Sequence, residues 1–157
     1  MATHNPHSTV QADSTSGNPV EQKSTSNAAW VTVKNGTGYP DGATAITAAS
    51  GNVAAATAAA TLAAVASKTT YITGFEVTGS GATAGLPVSV TVTGTITGTL
   101  TYTYVAAVGA LVANTPLIVE FPIPIPASAT NTTIVVSCPT LGSGNTNNTT
   151  VAHGYQI

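Results

Sequence analysis

The sequence predicts an all-β protein built as an antiparallel sandwich, and three observations predict it. Val, Thr and Tyr alternate with other residues at a period of two through much of residues 44–157. Gly, Pro and Asn clusters interrupt the alternation about every 12 residues, the spacing of short antiparallel strands. Charged residues make up 5% of the chain, where a soluble domain carries roughly 25%. Residues 42–157 hold only Lys68, Glu76 and Glu120, so the body's surface suits cover by other protein.

Residues 1–29 are rich in Ser, Thr, Asn, Gln and Pro without apolar periodicity. Alone, such a segment cannot bury enough surface to offset its ordering entropy. It reads either as a free terminus or as an extended arm that orders against a neighbouring subunit, with a reach on the order of 100 Å. Trp30-Val31-Thr32-Val33 is the first strand-like stretch, and Trp30 is the sole Trp. The turn-rich run Asn35 to Gly42 follows. Residues 30–43 are therefore taken as a linker and 44–157 as the body.

Within the body, Val53 to Ala66 is ambiguous. Ala favours a helix, but Val53, Thr57, Thr61 and Val65 are β-branched and give a helix only a thin stripe, so a strand is the expectation. A strand of Ala and Thr is narrow and suits close packing at an oligomer axis. Tyr71 to Val77 alternates. So does Val88 to Thr93, and Thr95 to Thr103 continues the pattern with Gly94 and Gly98 as bends. Leu117 to Phe121 reads as a short strand ending at Pro122-Ile123-Pro124-Ile125-Pro126, whose missing donors forbid central pairing. Thr132 to Ser137 and Thr149 to Tyr155 complete the series, with Gly142 to Asn148 as a loop. The total of about eight strands fits a jelly roll, which has eight in two sheets.

Composition also narrows function. A net charge of -2 and the absence of Arg argue against nucleic acid and anionic lipid. No run reaches the ~18 apolar residues of a membrane span. The polar first 30 residues lack a signal-peptide core, so cytosolic synthesis is expected. Cys138, the only cysteine, lies in the apolar run Ile134 to Cys138 and reads as a small buried hydrophobe.

The stretch Ala63-Ala64-Val65-Ala66-Ser67-Lys68-Thr69-Thr70-Tyr71-Ile72-Thr73-Gly74-Phe75-Glu76-Val77-Thr78-Gly79, together with the closing run Asn147 to Ile157, resembles the jelly-roll capsid decoration, or cement, proteins of tailed phages. The likeness covers residues 48–157. It implies a homotrimer on the outside of an icosahedral virion, seated at three-fold or quasi-three-fold points and clamping adjacent capsomers. The implied partners are the chain itself, the major capsid protein and, through the arm, neighbouring decoration proteins. The candidate interface residues are Trp30, Thr57, Ala59, Thr61, His153 and Tyr155.

No catalytic, cofactor or metal motif is found, and a non-enzymatic role is expected. His4 and His7 lie three apart without a supporting ligand set. His153 is a candidate intersubunit contact. Glu76 and Glu120 read as isolated acids, the only pair that could serve glycoside hydrolysis. Two other roles compete with decoration. One is a receptor- or glycan-binding head of a phage fibre, for which Tyr102, Tyr104 and Tyr155 are the available aromatics. The other is an ice-binding sheet, suggested by the Thr-x-Thr runs from Thr91 to Thr103, although they lack a fixed repeat.

Overall fold

The structure is a computed structural model that describes residues 38–109, 112 and 114–157, together with two short strands nearer the N-terminus. Those two, β1 (Val10–Ala12) and β2 (Pro19–Glu21), pair antiparallel with each other. Trp30 and the remainder of residues 1–37 lie outside the described residues, and the arm expectation lies there with them.

The body contains β3 (Thr44–Ala49), β4 (Ala58–Leu62), β5 (Thr70–Ser80), β6 (Ala84–Gly85), β7 (Pro87–Thr95), β8 (Gly98–Val105), β9 (Leu117–Pro126), β10 (Ile134–Cys138), β11 (Gly142–Ser143) and β12 (Asn147–Gln156). No helix occurs among the described residues. Eight of these strands form two antiparallel four-stranded sheets. Sheet I has the order β4-β10-β7-β8 and sheet II the order β3-β12-β5-β9. The first of the eight pairs with the last (β3 with β12), the second with the seventh (β4 with β10), the third with the sixth (β5 with β9) and the fourth with the fifth (β7 with β8). A long hairpin rolled up on itself produces this nesting, which is the jelly roll. The short pair β6 and β11 is separate from both sheets.

Alternation decides which side chains enter the core. On β4, Ala58, Ala60 and Leu62 are buried while Ala59 and Thr61 are exposed. Ile134, Val136 and Cys138 of β10 and Val90 and Val92 of β7 point the same way. Sheet II contributes Ile72, Phe75, Val77 and Ala152. Phe75 packs edge-on to Tyr102 at 5.2 Å between ring centroids. Only Ala58–Leu62 of the ambiguous Ala-rich run is regular strand.

Polar side chains close the sandwich beside β4. Asn148, Thr150 and Gln156, all from β12 of sheet II, are buried. The Asn148 amide donates to the carbonyls of Ala56, Cys138 and Pro139 at 3.3, 3.3 and 3.0 Å. Thr150 Oγ1 donates to the Ala58 carbonyl at 3.3 Å, and Gln156 Nε2 to that of Ala63 at 2.6 Å. An edge strand otherwise exposes unpaired backbone groups as a template for aggregation. Here the second sheet's side chains satisfy three carbonyls along the β4 segment.

Strand β9 runs further than the sequence suggests, through Pro122, Pro124 and Pro126. It is an edge strand, so prolines without N–H groups are tolerated there. They still distort the pairing. Gly74 pairs with Glu120 and Ile72 with Ile125. Two steps on β5 therefore face five on β9, and the surplus residues of the proline segment bulge. Across the other edge of β5, His153 pairs with Gly74 and Gly154 with Ile72, leaving Thr73 unpaired as a second bulge. Gly154 sits at this bulge because a Cβ there would overlap the Tyr71 carbonyl oxygen.

Candidate functional site

Beside the two bulges lies a groove of about 670 Å³ on the outer face of sheet II. Thr73, Gly74 and Glu76 of β5, His153 of β12 and Ile118 to Pro122 of β9 line it, together with Tyr39 from the segment before β3. Gly74 allows β9 to approach closely, since a Cβ would come 2.7 Å from the Val119 carbonyl oxygen. A second hollow of about 290 Å³ shares Tyr39, Thr73 and Pro122 and extends to Pro124 and Tyr155.

Glu76 on β5 and Glu120 on β9 both line the main groove, 44 positions apart in sequence. The expectation that they are isolated acids is therefore corrected. The β5–β9 register sets Glu76 opposite Ile118, two residues from Glu120, so the glutamates are diagonal neighbours on one face. His153 Nε2 lies 3.9 Å from Glu76 Oε1, with both side chains half exposed. Neither carboxylate accepts a hydrogen bond from another described residue, which leaves its acceptor capacity to solvent or a ligand. No group of three His, Cys, Asp or Glu able to hold a metal occurs among the described residues.

Three tyrosines stiffen the groove's end. Tyr155 stacks on Tyr71 at 4.8 Å with 8° between planes, and Tyr39 tilts against Tyr155 at 5.2 Å. Tyr155 is 5% exposed, covered by rings of its own chain, and burial raises its phenol pKa above the ordinary value.

The candidate interface residues separate onto different faces. Thr57, Ala59 and Thr61 are exposed, the latter two on the outer face of sheet I. His153 belongs to the groove on sheet II. Tyr155 offers little surface to a neighbour, and Trp30 lies outside the described residues. Of the aromatics considered for glycan contact, Tyr104 is 7% exposed and its hydroxyl donates to the Thr115 carbonyl. Tyr102 packs against Phe75. Tyr39, which sequence reasoning assigned to the linker, lines both hollows.

Cys138 is fully buried in the core, away from the outward-facing His153. Burial pushes its thiol from 9.0 up to about 11, outweighing the opposing influence of the nearby Asn148 side chain. The fold thus favours the neutral thiol. That stability is fully present below pH 9.0 and is lost as pH rises through about 11. Over this window the Cys138 contribution falls by about 2–3 kcal/mol. Urea midpoints measured against pH should show the decline, and Cys138→Ala should flatten it in part. Tyr104 and Tyr155, also raised by burial, act in the same direction at higher pH.

No protein-family model, curated protein or solved structure matches the chain.

Proposed function

We propose that the protein is a structural virion component that binds the outer surface of an icosahedral phage capsid as a homotrimer and bridges neighbouring capsomers. The observation that carries this reading is the outer face of sheet I. Register places Thr61, Val135 and Thr93 in one row and Ala59, Ser137, Thr91 and Thr101 in the next. Ser89 pairs with Thr103 and Pro87 with Val105 beyond them. This four-stranded face carries no charged side chain. The charged residues of the body, Lys68, Glu76 and Glu120, all lie outside sheet I, as does Asp41 just before the body.

Such a face is cheap to desolvate. Charged groups are depleted at interface centres because each must be paired when water leaves. Hydroxyls of Thr and Ser can exchange water for partner hydrogen bonds while their β-branched or short stems lose little side-chain entropy. The major capsid protein and further copies of the chain are the proposed occupants. Residues 1–29, as an arm, would add contacts to the shell or to neighbouring trimers. The decisive experiment measures the oligomer mass of the recombinant protein, then images purified phage heads incubated with it by electron microscopy. Trimers with discrete density at three-fold positions are expected. A monomer that leaves the heads undecorated overturns the reading.

A further inference from the structure

We infer that the groove on the outer face of sheet II is a saccharide-binding site, selective for neutral or amino sugars of one to three rings. This role goes beyond capsid bridging. A body docked through sheet I would leave the opposite face of the sandwich turned outward.

The size is appropriate. The main groove, at about 670 Å³, falls within the roughly 300–1,000 Å³ of small-ligand sites, and the adjoining 290 Å³ hollow extends it. Two hollows joined at Tyr39, Thr73 and Pro122 match a linear oligosaccharide better than a single compact ligand.

The chemistry is amphipathic in the way a pyranose ring is. One side of such a ring presents C–H groups, and its rim presents hydroxyls in adjacent pairs. Tyr39 and Pro122 supply apolar surface at the waist of the groove. Glu76 and Glu120 supply four carboxylate oxygens, and carboxylates accept hydrogen bonds from hydroxyls at about twice the strength of neutral acceptors. Thr73 adds a hydroxyl and His153 a ring nitrogen, each able to donate or accept. A chain that places only two glutamates in residues 42–157 brings both to this groove.

The groups are also held in place. Tyr39 rests on Tyr155, which stacks on Tyr71, so the Tyr39 ring is braced before any ligand arrives. Preorganisation lowers the ordering cost that weakens binding to mobile side chains. The two carboxylates set the selectivity. They repel sugar acids and favour neutral rings or those bearing an ammonium group.

The test uses the full chain, labelled with ¹⁵N, titrated with N-acetylglucosamine, galactose, mannose, chitotriose and maltotriose. Sialyllactose serves as the acidic sugar and trilysine as the basic peptide. Amide shifts are expected at residues 73–76, 118–121 and 153 with at least one neutral or amino sugar, and none with sialyllactose. Glu120→Gln should weaken binding about tenfold, the equivalent of one lost hydrogen bond to a charged group. Tyr39→Ala should weaken it similarly, whereas Ala59→Asp on the opposite sheet should leave it unchanged. Both Glu120→Gln and Ala59→Asp alter exposed positions, so retained folding is expected and is checked in the same spectra. The proposal is overturned if no sugar shifts the groove amides at about 20 mM, well above a millimolar Kd. It is equally overturned if sialyllactose binds as well as the neutral sugars, or if trilysine alone binds. None of these readouts depends on capsids or on trimer formation.

Discussion

Asn148→Asp is expected to cost about 3–5 kcal/mol, a large share of the roughly 5–15 kcal/mol that holds a domain folded. Asn148 is fully buried at the start of β12. Its amide nitrogen faces the carbonyl oxygens of Ala56, Cys138 and Pro139, and its own Oδ1 has no donor among the described residues. A carboxylate there would meet acceptors on one side and no donor on the other, while losing its hydration. The introduced carboxyl would therefore stay protonated well above its ordinary pKa. A raised folded pKa makes the variant relatively more stable below the unfolded value near 4 and less stable as pH rises. Chemical denaturation at pH 4 and pH 8 should show the deficit relative to the parent chain narrow at the lower pH. Asn148→Ala removes the donor without adding charge, and about 1–3 kcal/mol is expected for the unpaired carbonyls. Equal effects for the two substitutions would mean that packing, not polarity, is what Asn148 supplies.

The same residue marks a limit of sequence reading. Asn148 falls in a Gly/Asn-rich run that reads as loop, and Asn148-Thr149-Thr150 resembles a glycosylation sequon. Its actual setting depends on β12 lying across from the β4 segment and the end of β10, and local spacing cannot show that pairing. The strands themselves were legible because alternation is local: β5, β7, β8, β10 and β12 all fall where period-two patterns occur. The buried thiol was legible too, since Cys138 ends an apolar run. Strand β9 was read short, because prolines stop a central strand but not an edge one, and edge position is a property of the sheet. The groove was invisible for the same reason. Glu76 and Glu120 become neighbours only through the β5–β9 register, and the bulges beside the hollow are mismatches between strands.

The two broad faces differ in chemistry. Sheet II concentrates ionisable groups, Glu76, Glu120 and His153, around a concavity. Sheet I presents rows of Thr, Ser, Ala and Val without charge. A chain with so few charges could have scattered them for solubility, since interspersed charge discourages association. Their absence from sheet I makes that face the less costly of the two to desolvate.

If sheet I is the face that associates, the double substitution Ala59→Asp with Thr91→Asp should abolish assembly while sparing the fold. Both positions lie in the row Ala59-Ser137-Thr91-Thr101, with Ala59 exposed on β4 and Thr91 partly exposed on β7. Their side chains point away from the core, so the cost to folding is limited to strand propensity, on a scale spanning about 1 kcal/mol. At an interface the arithmetic differs. A carboxylate buried without a partner costs about 3–5 kcal/mol, which is roughly two to four decades in affinity. Sedimentation velocity and capsid binding should then both register a loss, with the thermal midpoint little changed. Splitting the two readouts assigns the face. Retained trimers that no longer bind heads would place the shell, not a second copy, on sheet I. Loss of both would make this face the contact between copies and leave capsid binding dependent on it. Unchanged mass and unchanged binding would remove sheet I from the assembly altogether, because no interface of ordinary packing tolerates two unpaired carboxylates in one row of the buried face.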